Sequence, residues 1–329
     1  MNETEFIQVL SSIILLSTPL IIAVCGETIT ERAGVVNLSL DGTILLAAMT
    51  GFVSAYVSNS VLIGFTAAAV VGAIFAAIVA YGSITLGKDQ FAVGFVLTLL
   101  GDELSAYLGQ NFTRIPGPSV PHWGIPVLKD IPILGPLFFD HDPLVYFSFM
   151  LVITTWWWLF HTQSGLRLRS AGERPEAGFV RGVNINRLRY LYTIIGGALV
   201  GVAGAAYSLD IKLGWAEGST RGLGWIALAV VIFGGWSPIR GALGALLFGA
   251  SKALAAVLQR RYPEISLIVF NALPWLLMIV VLLLVGSDAT NRLIAIAPRR
   301  FQPQLRQALR VRPPAALGQP FTPGKSGDN

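Results

Sequence analysis

The chain alternates long apolar runs with short polar segments. Most runs are near the roughly 20 residues that a helix needs to cross a bilayer. Nine runs can be drawn, at 6–26, 34–57, 61–86, 91–110, 144–162, 190–209, 223–238, 241–258 and 265–286. The pattern predicts an all-α, polytopic helical membrane protein with about nine transmembrane segments, within a range of eight to ten.

Two of these runs have features of broken or re-entrant helices. The run at 223–238 is short and rich in glycine, and the segment 34–42 of the second run is interrupted by polar residues. In "ERAGVVNLSLDG", residues 31–42, an amide, a hydroxyl and a carboxylate stand where apolar side chains would be easier to bury. Interrupted helices of this kind occur at the binding sites of transporters.

Composition and charge support a membrane protein. Hydrophobic residues make up 54% of the chain, charged residues make up 12%, and the mean hydropathy is +0.67. The formal charge is +5, but six arginines lie within 163–189 and seven of the 23 Lys and Arg residues follow residue 287. The positive-inside rule places both regions in the cytoplasm and makes a nucleic-acid partner unnecessary.

The basic segments also predict the topology. Because the segment 163–189 and the tail 287–329 are both inside, the four runs between them satisfy the required even number of spans. Counting back places the acidic N-terminus outside and makes 111–143, which holds seven prolines, an extracytoplasmic loop. The membrane domain is then 1–286, and the basic, proline-containing tail 287–329 is predicted to be cytoplasmic and disordered.

The N-terminus carries no basic residue before Arg32. A cleaved secretory signal normally begins with a basic region, so the first apolar run is predicted to remain in the mature protein.

The segment 163–189 carries the punctuation of a short helix. Pro175 suits a first helical turn, Glu176 suits its positive end, and Gly182 can close it in left-handed geometry. Asn184 or Asn186 can then cap the next span. The sequence predicts a cytoplasmic helix of about seven residues between two spans, with an ordinary basic loop as the alternative.

Motifs for catalysis and nucleotide binding are missing from the sequence. "GSITLGKD" at 82–89 places Asp89 where a P-loop needs a hydroxyl, and "GQPFTPGKSG" at 318–327 has its first glycine one residue too far away. His122, His141 and His161 have no metal-ligand spacing. We therefore expect no cofactor and no metal, and any ATP hydrolysis on another chain; an intramembrane enzyme is disfavoured.

Asp102 and Glu103 stand inside the fourth apolar run. Adjacent helix positions diverge by about 100°, so the two carboxylates cannot act together as an acid/base pair. A carboxylate at bilayer depth costs about 2.5–3.5 kcal/mol on insertion scales. Either one side chain faces a water-filled lumen, or both lie in water near the outer mouth.

Three blocks of the sequence resemble a known family. "ERAGVVNLSLDGTILLAAMTG", "RSAGERPEAGFVRGVNINRLRYL" and "GLGWIALAVVIFGGWSPIRGALGALLFG" resemble permease subunits of bacterial ABC importers. This branch includes simple-sugar, branched-chain amino acid and basic-membrane-protein nucleoside systems, and the first block looks closest to the nucleoside branch. The chain departs from that branch at Asp41, where Glu is usual, and at Thr98, where Asn is frequent.

The resemblance implies a non-catalytic, multi-pass subunit in a bacterial cytoplasmic membrane. Its expected partners are cytoplasmic ATPases, a second permease subunit of the same or a homologous chain, and an extracytoplasmic binding protein or lipoprotein. The expected cargo is a small polar solute, a nucleoside first, with a simple sugar or a branched-chain amino acid as alternatives. An ion-coupled carrier that acts without an ATPase is the further alternative, with Asp41, Asp102 and Glu103 as its ion sites.

The resemblance also implies roles for individual residues. The second run would line the translocation route, and the alternative is that Asn37 and Asp41 only bond neighbouring helices or cap an interrupted helix. The pathway candidates are Asn37, Ser39, Asp41, Thr98, Asp102 and Glu103. The segment 163–189 would be the coupling loop, and the residues expected to contact an ATPase are Arg174, Glu176, Ala177, Phe179, Val180, Arg181 and Gly182.

Overall fold

A computed structural model describes residues 3–286 and 312–322 of the chain. The described residues form eleven α-helices, and their only β-type pairing is an isolated bridge between Thr113 and Trp215. The helices are α1 (Glu3–Arg32), α2 (Leu40–Ser58), α3 (Val61–Ala80), α4 (Gln90–Gly109), α5 (Pro143–His161), α6 (Gln163–Glu173), α7 (Pro175–Val180), α8 (Ile185–Ala206), α9 (Leu223–Phe233), α10 (Pro238–Arg261) and α11 (Leu267–Gly286).

The all-helical class is confirmed, but the count of about nine spans is not. Seven helices among the described residues are long and apolar enough to cross a membrane, and two shorter apolar helices cover Leu223–Phe233 and Ile268–Val281. The predicted run 223–238 contains only 11 helical residues, because the backbone turns at Gly235 and Trp236, both with positive φ. Pro238 then begins α10.

A second break separates α1 from α2. The backbone of Gly34 has φ +95°, a conformation that glycine adopts without the steric cost of a Cβ. The following residues are not helical until α2 begins at Leu40. The segment 33–39, called the break below, therefore enters the helix bundle as irregular backbone, as the polar residues in this run predict.

Small residues bring the central helices together. α8 packs against α1, α2 and α3. A Cβ added to Gly197 would lie 2.6 Å from the carbonyl oxygen of Gly72, and one added to Gly201 would overlap the carbonyl oxygen of Ala68. Such close helix approach is what small residues at this spacing permit in membrane proteins.

The predicted helix after Pro175 is present as α7, with Pro175 in its first turn. Gly182 follows it with φ +80°, and the side-chain oxygen of Asn184 accepts a hydrogen bond from Arg187 N at 3.0 Å. Asn184, rather than Asn186, is therefore the cap of α8.

The segment 312–322 lies within the tail that the sequence predicts to be disordered, yet it packs against the bundle. Ala316 N donates to Gly172 O at 2.8 Å, and Gly318 N donates to Gly34 O at 3.1 Å. The low apolar content of this tail suggests no packing of side chains, but these anchors are backbone hydrogen bonds. The remaining parts of the predicted tail, 287–311 and 323–329, lie outside the described residues.

Candidate functional site

The N-termini of α2 and α9 meet at one carboxylate. Oδ1 of Asp41, in the first turn of α2, accepts hydrogen bonds at 2.9 Å from Gly222 N and from Gly224 N, and Oδ2 lies 3.1 Å from Gly222 N. These N–H groups belong to the first turn of α9, which has no earlier carbonyl to bind them. Asp41 therefore caps a helix that begins 181 residues further along the chain.

Glycines make this meeting possible. A Cβ at Gly224 would overlap the backbone of Asp41, so the two helix ends are in direct backbone contact. On the other side of α2, a Cβ at Gly42 would lie 2.5 Å from Thr98 O, and one at Gly101 would lie 2.5 Å from Gly42 O. α2 is thus held closely between α4 and α9.

Asn37 and Ser39 bond to each other inside the break. Oδ1 of Asn37 accepts from Ser39 N at 3.0 Å and from Ser39 Oγ at 2.6 Å, and Ser39 Oγ lies 3.2 Å from Thr43 Oγ1. Thr98 Oγ1 donates to Leu38 O at 2.7 Å. The break is therefore stabilised by side chains that replace the hydrogen bonds of a helix, and Asn37, Ser39 and Thr98 are all buried.

One polar group in the break has no partner. The Nδ2 atom of Asn37 is buried without a hydrogen bond among the described residues. A buried, unpaired amide donor is costly, so it marks a place where a bound solute or water would gain a hydrogen bond.

Asp102 and Glu103 have different environments. Asp102 Oδ1 lies 2.8 Å from Arg221 Nη2, and the two side chains are 26% and 56% exposed. Arg221 directly precedes Gly222, so this ion pair lies beside the Asp41 cap. The hydrogen bond and charge of Asp102 raise the pKa of the Arg221 guanidinium. Glu103 is exposed, as adjacent helix positions require.

Four buried or partly buried residues, three at the end of α1 and one in the turn between α9 and α10, are not among the predicted site residues: Glu27, Glu31, Arg32 and Trp236. Glu31 accepts a hydrogen bond from the indole N–H of Trp236, and Glu27 accepts one from Asn37 N at 3.4 Å. Arg32 Nε donates to Trp236 O at 2.9 Å and its guanidinium pairs with Glu173 at 3.3 Å. These contacts join the break to the turn between α9 and α10. The signal is in the sequence, because Glu27 and Glu31 directly follow the first apolar run and carboxylates at membrane depth are expensive unless bonded.

The predicted coupling residues lie on the surface. Pro175 and Gly178 hold α7 against the protein, while Phe179 is 46% exposed and Val180 is 85% exposed. The ring of Phe179 contacts Phe321, with centroids 5.8 Å apart. The whole predicted set is exposed: Arg174, Glu176, Ala177, Phe179, Val180, Arg181 and Gly182.

Comparisons with known proteins identify the family of the chain. A family model described as the permease component of branched-chain amino acid transport systems matches residues 9–283. The chain is 33% identical to the nucleoside ABC transporter permease protein NupC of Lactococcus lactis, over 78% of this chain and 85% of that protein. It is 34% identical to the guanosine ABC transporter permease protein NupQ of Bacillus subtilis, over 77% of this chain and 84% of that protein.

A sugar transport protein is similar as well. The chain is 37% identical to a Haloferax volcanii protein provisionally named a glucose ABC transporter permease, over 76% of each chain. No solved structure matches the chain. The family match, the relatives and the seven long apolar helices lead to one conclusion: this chain belongs to the permease-component family of branched-chain amino acid transport systems, as a multi-pass ABC transporter permease.

Proposed function

We propose that this chain is the membrane subunit of an importer for nucleosides, driven by a separate ATPase and supplied by an extracytoplasmic binding protein. The observation that carries the proposal is the similarity, over 77–78% of this chain, to two permeases whose names specify nucleoside and guanosine transport. A second permease subunit, the same chain or a homologous one, would complete the route.

The helices support a topology of nine crossings. α7 would face the cytoplasm, which makes α1, α3, α5, α9 and α11 run inward and α2, α4, α8 and α10 run outward. In this arrangement α2 and α9 cross as broken helices, α2 after the break and α9 before the turn at Gly235. Their N-termini meet within the bundle, as in transporters whose half-helices bind the solute near the middle of the membrane.

The topology can be tested with single cysteines, because the only native cysteine, Cys25, is buried. We expect Ala177→Cys to react with an impermeant maleimide only after the cytoplasmic side is opened. Ser119→Cys, in the loop 111–143, should react in intact cells. The reverse pattern of labelling would contradict the topology and the coupling role of α7.

The Asp41 junction would be the gate of the route. In this structure the first N–H groups of α9 are occupied by Asp41, and Asn37 Nδ2 has no hydrogen-bond partner within 3–286 and 312–322. Separation of α2 from α9 would free the same N–H groups, which could then bind the oxygen atoms of a nucleoside. Asn37 and Thr98 would lie beside it.

The decisive experiment is reconstitution of the permease, its ATPase and its binding protein in liposomes. We expect ATP-dependent uptake of labelled guanosine that excess unlabelled adenosine reduces and that glucose or leucine does not. Uptake of glucose without uptake of guanosine would overturn the nucleoside assignment. The 37% identity to the Haloferax volcanii protein makes a simple sugar the second candidate.

The same liposomes test action without an ATPase. The chain alone, with a proton or sodium gradient, should not accumulate guanosine, because Asp41 and Asp102 both have internal partners in this structure. Gradient-driven accumulation would favour an ion-coupled carrier instead.

A further inference from the structure

The segment 312–322, called the strap below, lies across the place where α1, α6 and α8 meet. Besides the bonds of Ala316 and Gly318 to Gly172 and Gly34, Ala315 N donates to Glu173 Oε2 at 3.3 Å. Ala316 is 6% exposed. The strap is thus bound by its backbone to α6 and to the residue that begins the bend after α1.

A buried arginine of α8 binds the strap from below. Arg189 is 2% exposed, and its Nη1 donates to Gln319 O at 2.7 Å. Its Nη2 donates to Ala171 O at 3.1 Å and lies 3.5 Å from Ala316 O. A planar guanidinium can hold several acceptors in fixed directions, so Arg189 fixes the strap to α6.

The backbones at this place leave no space for side chains. A Cβ at Gly34 would lie 2.9 Å from Arg189 Nη2 and 3.2 Å from the Cα of Gly172. A Cβ at Gly172 would overlap the carbonyl oxygen of Arg32. The end of α1, the end of α6 and the strap therefore form one tightly packed unit.

The far end of the strap reaches α7. The Phe321 ring packs on the Phe179 ring, with centroids 5.8 Å apart and planes at 58°. Gly318 at the same time contacts Gly34 in the break, and the side chain of Val36 lies 3.7 Å from the position of a Gly318 Cβ. One short segment therefore contacts both α7 and the break.

We infer that the strap, held by Arg189, positions α7 relative to the break and transmits movement of α7 to it. The inference rests on the proposed function, in which an ATPase moves α7. α7 has only six residues and packs through Pro175 and Gly178. Such a short helix could tilt without moving the break, and the contacts of Phe321 and Gly318 remove that freedom. Arg189 and the strap are positioning elements that do not touch the solute.

The test compares two shortened chains in the complete transporter in liposomes. One chain ends at residue 311 and lacks the strap, and its matched control ends at residue 322 and keeps it. The quantity measured is the number of solute molecules imported per ATP hydrolysed. We expect this ratio to fall about two- to thirtyfold without the strap, the range found for residues that carry coupling, while ATP hydrolysis continues. An equal ratio in the two chains would overturn the inference.

The control chain separates this inference from the proposed function. If the chain ending at residue 322 imports neither guanosine nor glucose with its ATPase, the proposed function fails. If it imports one of them and the chain ending at residue 311 imports it equally well per ATP, only the role of the strap fails. A rise in ATP hydrolysis and in import without the strap would make the strap an inhibitor and would also overturn the inference.

A second variant applies if the shorter chain does not insert. Glu173→Cys with Ala315→Cys, joined by a short bis-maleimide, fixes the strap on α6, where Ala315 N donates to Glu173 Oε2. Cys25 is buried and should not react. We expect the cross-linked transporter to keep its import per ATP, and Arg189→Lys without the cross-link to lower it. Loss of import on cross-linking would show that the strap must detach, which contradicts a transmitting role.

Discussion

The Asp41 junction and the α7 surface are opposite in burial: polar side chains are enclosed at the junction, and apolar side chains are exposed on α7. Asp41 is 4% exposed and binds two backbone N–H groups, whereas Val180 is 85% exposed and Phe179 is 46% exposed. Inside the bundle a helix end is shielded from bulk water, so a side chain of the protein satisfies it here. At the surface Val180 and the part of Phe179 that Phe321 does not cover remain exposed, as in a contact surface for another protein.

The difference shows how polar residues in an apolar run should be interpreted. The predicted pathway residues include Asn37, Ser39 and Asp41. In this structure the side chain of each has a hydrogen-bond partner within the protein. In this conformation Asp41 caps α9, which is the alternative to a role in the route. Lining or gating requires that the same bonds break in another conformation, so mutants must separate stability from uptake.

The largest effect is expected from Asp41→Leu. Leucine removes the acceptor of two buried N–H groups and should lower the free energy of unfolding by about 3 kcal/mol, since hydrogen bonds to charged groups contribute about 1.5–3 kcal/mol each. Uptake should be abolished although the chain still inserts. The measurements are thermal unfolding in detergent and uptake in liposomes.

Asp41→Asn is the matched control, because it keeps one acceptor oxygen and should lose about half as much stability. Normal uptake by Asp41→Leu with an unchanged unfolding temperature would remove the junction from the mechanism.

The next largest effect is expected from Gly224→Ala. The added methyl group would overlap the backbone of Asp41, so α9 must move, at a cost of about 3 kcal/mol for overpacking. Gly182→Ala is the control on the α7 side. Apart from its chain neighbours, no described residue has an atom within 4 Å of the new Cβ, but the backbone of Gly182 has φ +80°. That strain costs about 1–2 kcal/mol. Equal unfolding temperatures for the two variants would contradict the close contact of α2 and α9.

Phe179→Ala should affect binding of the ATPase rather than folding. Loss of an aromatic anchor costs about 2 kcal/mol at an interface, which is about a thirtyfold weaker Kd. The unfolding temperature should change little, because exposed substitutions usually have small effects. Titration of the purified permease with its ATPase measures the change.

Tyr107→Ala is the control for Phe179→Ala. Tyr107 is a 70% exposed aromatic residue near the C-terminal end of α4, which faces away from the cytoplasm in the proposed topology. Equal affinity of the Phe179 and Tyr107 variants for the ATPase would contradict the coupling role of α7.

The smallest effect concerns His122, an exposed residue that bridges Asp140 at 2.9 Å and Asp142 at 3.2 Å. The hydrogen bond to Asp140 raises the pKa of His122, and the charges of both aspartates add to it. A raised pKa in the folded state means that the bridge stabilises the loop below the unfolded value of about 6.5, and that this contribution disappears as the pH rises through the folded pKa.

Hydrogen exchange of the loop 113–142 measures this contribution. His122→Gln should reduce amide protection only slightly at about pH 6, because exposed ion pairs contribute little. At about pH 9 it should not reduce protection, because His122 is neutral at that pH. The same difference at both pH values would show that the ring, and not its charge, holds the loop.

Local features of the fold could be predicted from the sequence because their causes are local. The apolar runs locate the helices, although the turn at Gly235 and Trp236 shortens the run at 223–238 to 11 helical residues. Pro175, Gly182 and Asn184 define α7 and the start of α8 through neighbouring atoms. The polar residues of the break predict an interruption, since an amide and a hydroxyl compete with the backbone for hydrogen bonds.

Contacts between distant residues could not be predicted in this way. The sequence determined that Asp41 needs a partner, because a carboxylate cannot be buried alone, but it did not indicate Gly222 and Gly224, which lie 181 and 183 residues away. Only the packing of α2 against α9 decided that pairing. Likewise the composition of the tail indicates few apolar contacts, whereas the tertiary structure places Ala316 and Gly318 on the backbones of α6 and of the α1 bend. Backbone hydrogen bonds depend on which groups the folded bundle leaves unpaired, and that is not encoded at any single position.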